Sequence, residues 1–347
     1  MVLGFDALLD QDRPTRLLTT ALQSGKFPHA YLFTGPEGVG KKTAAKLLSM
    51  VCNCRGHEFH PKSPPRGEAP GGNTDPKLPA ACGQCLSCKK ILSANHPDVY
   101  WISPIGSYIK VDQIRGLCQR LALKPYEAKI RLAVIECAHT LNPEAGNTLL
   151  KILEEPPDQT IFILMARQSS ELLPTIVSRC RHIRFNPIST ESIQNYLENH
   201  YAVTTTESAI IAAMSGGSLS RAAAMKEKDW ISHRNWIINT IAELDRQTIN
   251  YHLAFAEALA RDSGRVRTAL EIMKSWYRDL AVYAYRPGSL INNDISDKIA
   301  VHSRKASLKR LLAIIHSIET TASHIEANAN ARLAIDQLVI ELANKEN

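Results

Sequence analysis

Ala30-Tyr-Leu-Phe-Thr-Gly35-Pro-Glu-Gly38-Val-Gly40-Lys41-Lys42-Thr43 is the stretch that most constrains this chain. A short apolar run ends on glycines, and a helical period resumes over 41–51. Strand, glycine loop and helix in that order are the setting of a phosphate-binding loop. Glycines let backbone N–H groups turn inward on phosphate oxygens, the helix N-terminus adds positive potential, and a lysine reaches the terminal phosphates. Gly35, Gly38, Gly40 and Lys41 take those places. The plain alternative is an ordinary glycine-rich turn; the flanking strand and helix favour the phosphate loop.

Two departures bear on what such a loop can do. The motif calls for Ser or Thr directly after the lysine, to ligate Mg²⁺. Lys42 stands there, and Thr43 lies one residue on, about 100° around the helix. An ammonium beside the metal position repels the metal. A hydrolysing site of this type also wants a strand ending Asp-Glu, for metal and attacking water. Here the continuous apolar run 131–135 ends Glu136-Cys137. Glu136 still offers a metal a carboxylate, but Cys137 cannot act as a carboxylate base. Both departures predict weak or absent ATP binding and no hydrolysis.

The organisation follows from periodicity. Continuous apolar runs at 30–34, 131–136 and 160–165 read as buried strands, and 98–102 and 182–185 as further short strands. They alternate with helical patterns at 12–22, 111–123 and 142–155, the last stopped by Pro156-Pro157. That alternation predicts an α/β domain with a parallel sheet and right-handed crossovers over 1–187. Residues 55–81, dense in Pro and Gly, read as a flexible insertion. After Pro187 no strand is legible. Three short helical patterns fill 188–228 and longer ones 229–347, with a break near Pro287-Gly288. At about 150 residues per domain, 347 residues suggest two or three domains.

Composition excludes some classes. No run of 18 apolar residues suggests a membrane span, and Asp6, Asp10 and Asp12 interrupt any signal-peptide core, so a cytoplasmic protein is expected. A net charge of +7 suits a nucleic-acid neighbour without indicating one. Aromatics at 6% argue against a base-stacking sheet, and no helix-turn-helix is visible.

Five of the eight cysteines fall within residues 52–88, which in a cytosolic chain reads as metal before disulfide. Cys82-x2-Cys85-x2-Cys88 supplies three thiolates, and tetrahedral Zn²⁺ needs a fourth ligand. Cys52, Cys54, His57 and His60 are the candidates. A four-iron cluster would continue x3-Cys-Pro, where Leu92-Ser93 stands, so structural zinc is favoured. Cys118, Cys137 and Cys180 read as buried apolar residues.

Several stretches together carry a resemblance. They are His29-Ala-Tyr-Leu-Phe-Thr-Gly-Pro-Glu-Gly-Val-Gly-Lys-Lys, Cys82-Gly-Gln-Cys-Leu-Ser-Cys, His96-Pro-Asp, Asn147-Thr-Leu-Leu-Lys-Ile-Leu-Glu-Glu-Pro-Pro and Thr175-Ile-Val-Ser-Arg-Cys-Arg. Dense over 5–187, they resemble the delta-prime family of bacterial DNA polymerase III clamp-loader subunits, within the AAA+ proteins. The C-terminal third matches in helical character only, with Trp276-Tyr-Arg-Asp-Leu as its most family-like stretch. The resemblance implies a RecA-like parallel sheet with helices on both faces, a three-helix lid at 188–228 and an all-α collar at 229–347. A zinc module would be inserted at about 52–92, with Cys54 as the fourth ligand because its offset from Lys41 matches the family's first zinc cysteine.

The resemblance also implies a role. Such a subunit is a rigid stator in a hetero-pentamer with gamma/tau and delta subunits, which loads the sliding clamp onto primer-template DNA. It belongs to the polymerase holoenzyme, a nucleotidyltransferase by complex membership, and does not hydrolyse ATP itself. Arg179 of Ser178-Arg179-Cys180 would serve as an arginine finger in trans, at the γ-phosphate of the adjacent gamma subunit. Without the motif, Arg179 reads as a surface arginine paired with a carboxylate such as Glu171. Arg221, one residue later than the sensor pattern, and Ala166, lacking the first sensor's hydroxyl or amide, both fit an inactive site. The rival reading is an active AAA+ ATPase, either a gamma/tau-like motor or a chaperone-type machine; Lys42, Cys137 and Ala166 stand against it.

Overall fold

Apolar runs with no polar alternation must be covered on both faces, and the chain achieves this with a five-stranded parallel sheet. The computed structural model describes residues 3–56, 80–201, 203–227, 230–261 and 263–344. In chain order it forms β1 (Leu3–Gly4), α1 (Asp12–Ser24), β2 (Ala30–Thr34), α2 (Lys41–Asn53), β3 (Ala80–Ala81), α3 (Leu86–Leu92), β4 (Val99–Ile102), α4 (Val111–Ala122), β5 (Arg131–Ile135), α5 (Pro143–Glu154), β6 (Thr160–Ala166), α6 (Pro174–Val177) and β7 (Arg181–Arg184). The main sheet has the order β4-β5-β6-β2-β7, all parallel. The RecA-like sheet implied by the resemblance is present. The phosphate-loop strand β2 lies inside it, with Leu32 opposite Leu164 of β6 and His182 of β7.

The period of two sorts the strand residues onto two cores. Tyr31, Phe33, Leu132, Val134, Ile161 and Ile163 face one side, with Leu18 and Leu22 of α1 and Leu47, Leu48 and Val51 of α2. Leu32, Ala133, Ile135, Phe162 and Leu164 face the other, with Ile114, Leu117 and Leu121 of α4 and Leu149 and Leu153 of α5. Helix ends follow local chemistry. The Asn142 side chain accepts the Ala145 N–H at 2.8 Å, Pro143 opens α5, and Pro156-Pro157 stand just beyond its end. The two-residue strands β1 and β3 pair antiparallel, and with α3 and α6 they are too short to leave a periodic signal in the sequence.

After β7, every regular element among the described residues is helical. These are α7 (Thr190–His200), α8 (Thr205–Met214), α9 (Leu219–Glu227), α10 (Trp230–Glu243), α11 (Ile249–Ala260), α12 (Ser263–Tyr283), α13 (Ser296–Ser303), α14 (Leu308–Glu326) and α15 (Ala331–Ala343), with short 3-10 turns between some of them. The chain divides into two compact units: residues up to 192 with 217–220, and 193–216 with 221 onward. In the second unit α11 packs on α15, and α12 on α14. Arg234 is fully buried there, its guanidinium held by Asn292 and by Asp294 at 2.7 Å. No described helix is long and apolar enough to cross a membrane. Residues 57–79 of the expected insertion, His57 and His60 among them, lie outside the described residues.

Phe162 is fully buried in a central strand. Phe162→Ala is expected to cost about 3–5 kcal/mol, from lost burial and the cavity left behind. Urea unfolding of the full chain measures it, and a cost below about 1 kcal/mol would contradict this packing.

Candidate functional site

β2 delivers the chain to the C-terminal edge of the sheet, where α/β proteins place their ligands. The Gly35 N–H donates to the Arg167 carbonyl beyond β6 at 3.0 Å. A side chain at Gly35 would put its Cβ 2.3 Å from the Phe185 carbonyl oxygen beyond β7, and Gly35 has φ +140°. Only glycine passes between the two neighbours. Gly38, at φ +76°, lies under the Ser218 and Ser220 hydroxyls, and its carbonyl accepts the Leu219 N–H at 3.1 Å. Gly40 caps α2 in a left-handed conformation. The Lys41 ammonium donates to the carbonyls of Gly35 and, at 2.6 Å, of Pro36. Burial holds its pKa below the ordinary lysine range, against the opposing pull of Glu37.

The two departures from the motifs meet in space. The Lys42 ammonium lies 2.7 Å from Glu136 Oε1 and 5.7 Å from the centre of the Trp101 ring. Glu136 is placed by β5, its own N–H donating to the Ile102 carbonyl at 2.8 Å. Thr43 is exposed on the next helical position. A Mg²⁺ ion needs oxygen ligands at about 2.0–2.1 Å. An ammonium already holds the carboxylate that would supply one, so the residues present do not fit the metal. Cys137 is exposed, correcting the expectation of a buried apolar residue. It is the first residue beyond Glu136 and turns out of the sheet at φ +50°. Ala166 ends β6 opposite Thr34 and offers no polar side chain. The Arg221 guanidinium pairs with Glu271.

Arg179 follows the short helix α6. It donates to the Thr175 carbonyl at 3.0 Å and to Glu154 Oε1 at 2.7 Å. The partner is therefore Glu154, not the Glu171 named from sequence. Glu171 instead accepts the backbone N–H groups of Arg167 and Gln168 and lies 3.5 Å from the Arg167 side chain. The pair joins the Leu-Glu-Glu-Pro-Pro and Ser-Arg-Cys motifs, and sequence separation hid Glu154. Both side chains are about a third to a half exposed, so the pair contributes only about 0–1 kcal/mol and exchanges readily.

The four sulfurs of Cys54, Cys82, Cys85 and Cys88 lie within 4.8 Å of one another. Cys54 caps the end of α2, Cys82 follows β3, Cys85 caps α3 and Cys88 sits in its first turn. Cys82 and Cys88 sulfurs are 3.9 Å apart, close to the roughly 3.8 Å edge of a tetrahedron with metal–sulfur bonds of about 2.3 Å. Backbone N–H groups of Cys82, Cys85 and Cys88 point at the sulfurs of Cys54, Cys82 and Cys85 at 3.3–3.5 Å. Those donors favour thiolate, and N–H groups of Cys85 and Gln84 bring the Cys82 pKa down to about 6. The set fits one tetrahedral ion. A four-iron cluster puts each thiolate on a separate iron and spreads them further. Cys52 is buried in the core instead, where burial pushes its thiol well up.

A polar network behind the cysteines was not read from sequence. The Asn53 side chain accepts the Lys129 and Ile130 N–H groups at 2.9 and 3.2 Å. Glu127 takes Lys90 at 2.6 Å and Arg55 at 3.3 Å. The His96-Pro-Asp motif gains a physical role here. The Asp98 carboxylate accepts the N–H groups of Tyr126, Glu127 and Ala128 at 2.7–2.9 Å. Burial would raise its pKa, but these donors hold it below the usual range.

A family model described as DNA polymerase III, delta subunit matches residues 10–68 and 71–189. Another, described as DNA polymerase III, delta subunit, C terminal, matches 228–344. DNA polymerase III subunit delta' of Bacillus subtilis is 26% identical over 337 residues, 96% of each chain. DNA polymerase III subunit tau of the same organism is 34% identical over 189 residues, 54% of this chain but only 30% of that one. A gamma subunit-related protein of Thermotoga maritima aligns at 16% identity and TM-score 0.41, over 96% of this chain and 99% of that one.

Elemental analysis of the purified chain is expected to return about one zinc, as four thiolates imply. Cys54→Ser should lose the metal and lower the thermal midpoint, while Cys52→Ala keeps the metal; the reverse pattern would make Cys52 the ligand. The depressed Asp98 pKa contributes stability that is complete above about pH 4, the unfolded value, and is lost as pH falls through the folded value. Asp98→Asn should therefore destabilise the chain at neutral pH and flatten the acid limb of its stability profile, measured by urea midpoints from pH 7 down to about pH 3.

Proposed function

The chain belongs to the DNA polymerase III delta-subunit family, and from that premise we propose that it is a delta-prime-type stator of the clamp loader. In this reading it joins gamma/tau and delta subunits in a hetero-pentamer that places the sliding clamp on primer-template DNA, in the cytoplasmic replisome. Residues 188–228 serve as the lid and 229–347 as the collar. Zn²⁺ at Cys54, Cys82, Cys85 and Cys88 is structural, closing the ends of the inserted segment.

One observation carries the non-hydrolysing part of the proposal. Lys42 and Glu136 neutralise each other where a working site would hold its metal, and Cys137 supplies no carboxylate to polarise water. Gly35, Gly38, Gly40, Lys41 and Thr43 keep the shape of the loop without its hydrolytic chemistry.

Arg179 is the residue offered outward. Its guanidinium exchanges Glu154 for the γ-phosphate held by the adjacent gamma/tau subunit. Two parallel N–H donors then meet the charge that develops on the phosphoryl oxygens during transfer. A lysine keeps the charge but loses the planar fork. Glu154 serves as the resting partner.

The 34% identity to a tau subunit over the N-terminal half favours a second reading, a hydrolysing motor. Mg-ATP turnover by the isolated chain separates the two. No turnover is expected, and real turnover free of contaminating ATPase would overturn the stator reading. In a loader rebuilt so that only the neighbouring site is competent, Arg179→Ala should leave the pentamer intact. It should lower DNA-stimulated ATPase by about 10³-fold or more, with little rescue by Arg179→Lys. Normal loading by the alanine variant removes the finger assignment.

A further inference from the structure

The disagreement between this site and Mg²⁺ has a chemical consequence, which rests on the non-hydrolysing reading above. We propose that the Lys42–Glu136 pair is a built-in counter-ion in the divalent metal's place, so that the loop takes nucleoside di- or triphosphates without metal.

The charges support this. A working site sets one neutral hydroxyl and one carboxylate against a dication, leaving a net positive charge beside the phosphates. Here the same two places hold an ammonium and a carboxylate, at 2.7 Å. A dication entering would have to displace the ammonium from Glu136 and then remain beside it. Repulsion opposes that, and the neutral pair offers no net attraction. The ammonium is also guided. Lys42 lies on the first turn of α2, beside Lys41, and its nitrogen sits 5.7 Å from the Trp101 ring centre. The aromatic face keeps the lysine on the β4–β5 side of the loop. Glu136 holds it from the end of β5, with a side chain 22% exposed against 59% for Lys42.

A phosphate on the loop changes the partnership. Phosphate oxygens compete with Glu136 for the Lys42 ammonium, as they compete with the Gly35 and Pro36 carbonyls for Lys41. Two ammonium groups and the α2 N-terminus then face the phosphates with no metal between them. The sign of the Mg²⁺ effect is therefore inverted from that of a working ATPase loop. Free Mg²⁺ ties up the phosphate charge in solution and brings nothing to the site.

The test uses the full chain and a fluorescent ADP, in buffer freed of Mg²⁺ by chelating resin, so that the cysteine site keeps its ion, and again with excess Mg²⁺. Wild type is expected to bind equally well or more weakly with Mg²⁺. Lys42→Ser, which restores a hydroxyl ligand, should weaken metal-free binding and tighten by about tenfold or more when Mg²⁺ is added. Glu136→Gln frees the ammonium and should tighten metal-free binding; a mere surface pair would leave it unchanged. Circular dichroism and metal content confirm that each variant is folded. Wild-type binding that tightens about tenfold with Mg²⁺ overturns the proposal, and so does absence of binding in both buffers. Turnover speaks to the other reading. Mg²⁺-dependent binding without hydrolysis sinks the counter-ion and leaves the stator, whereas hydrolysis sinks the stator.

Discussion

A strand with no free edge and no free face governs the first unit. All five residues of β2 are buried, and β6 and β7 take its hydrogen bonds on either side. The chain can leave such a strand only along its own axis, between the ends of its two neighbours. Arg167 receives the first N–H beyond it, and the Phe185 carbonyl occupies the space a side chain would need. The glycine at 35 is thus a demand of the sheet before it is a demand of any ligand. Lys41, Lys42 and Glu136 inherit their positions from that exit.

Charge is handled differently at the surface and in the core. Lys42–Glu136 and Arg179–Glu154 are partly exposed pairs joining different elements of the first unit. Water and salt compete with them, so each contributes little stability and can exchange partners. Arg234 is the contrast. It is fully enclosed in the second unit, with Asn292 and Asp294 satisfying its donors. Removing one partner there would strand a charge out of water. The first two arrangements suit groups that exchange partners, and the third suits a scaffold.

The cysteine cluster combines local and distant determinants. Cys82, Cys85 and Cys88 converge because their spacing spans a turn and the first turn of α3, a geometry written into seven consecutive residues. Cys54 arrives from 28 positions away. The exit of α2 and the pairing of β1 with β3 bring it there, and neither two-residue strand has a readable period. Cys52, two residues earlier, faces the core because two residues rotate a helix by about 200°.

The sequence by itself determined whatever repeats on a short scale. Continuous apolar runs located the central strands β2, β5 and β6, and a 3.6-residue period located the main helices. Gly35, Gly38, Gly40 and Lys41 announced the phosphate loop, and Lys42 and Cys137 announced its departures. These are properties of neighbours along the chain, which steric and solvation rules connect directly to local structure. Tertiary structure alone decided the partnerships. Lys42 meets Glu136, 94 positions on, through the ordering of β2 and β5 within the sheet, and Arg179 meets Glu154 rather than the nearer Glu171. Cys137 is exposed because the chain turns away at the end of β5. A carboxylate acts on whichever cation the packing brings within reach. Packing is a sum over both faces of the sheet, so no window of sequence contains it.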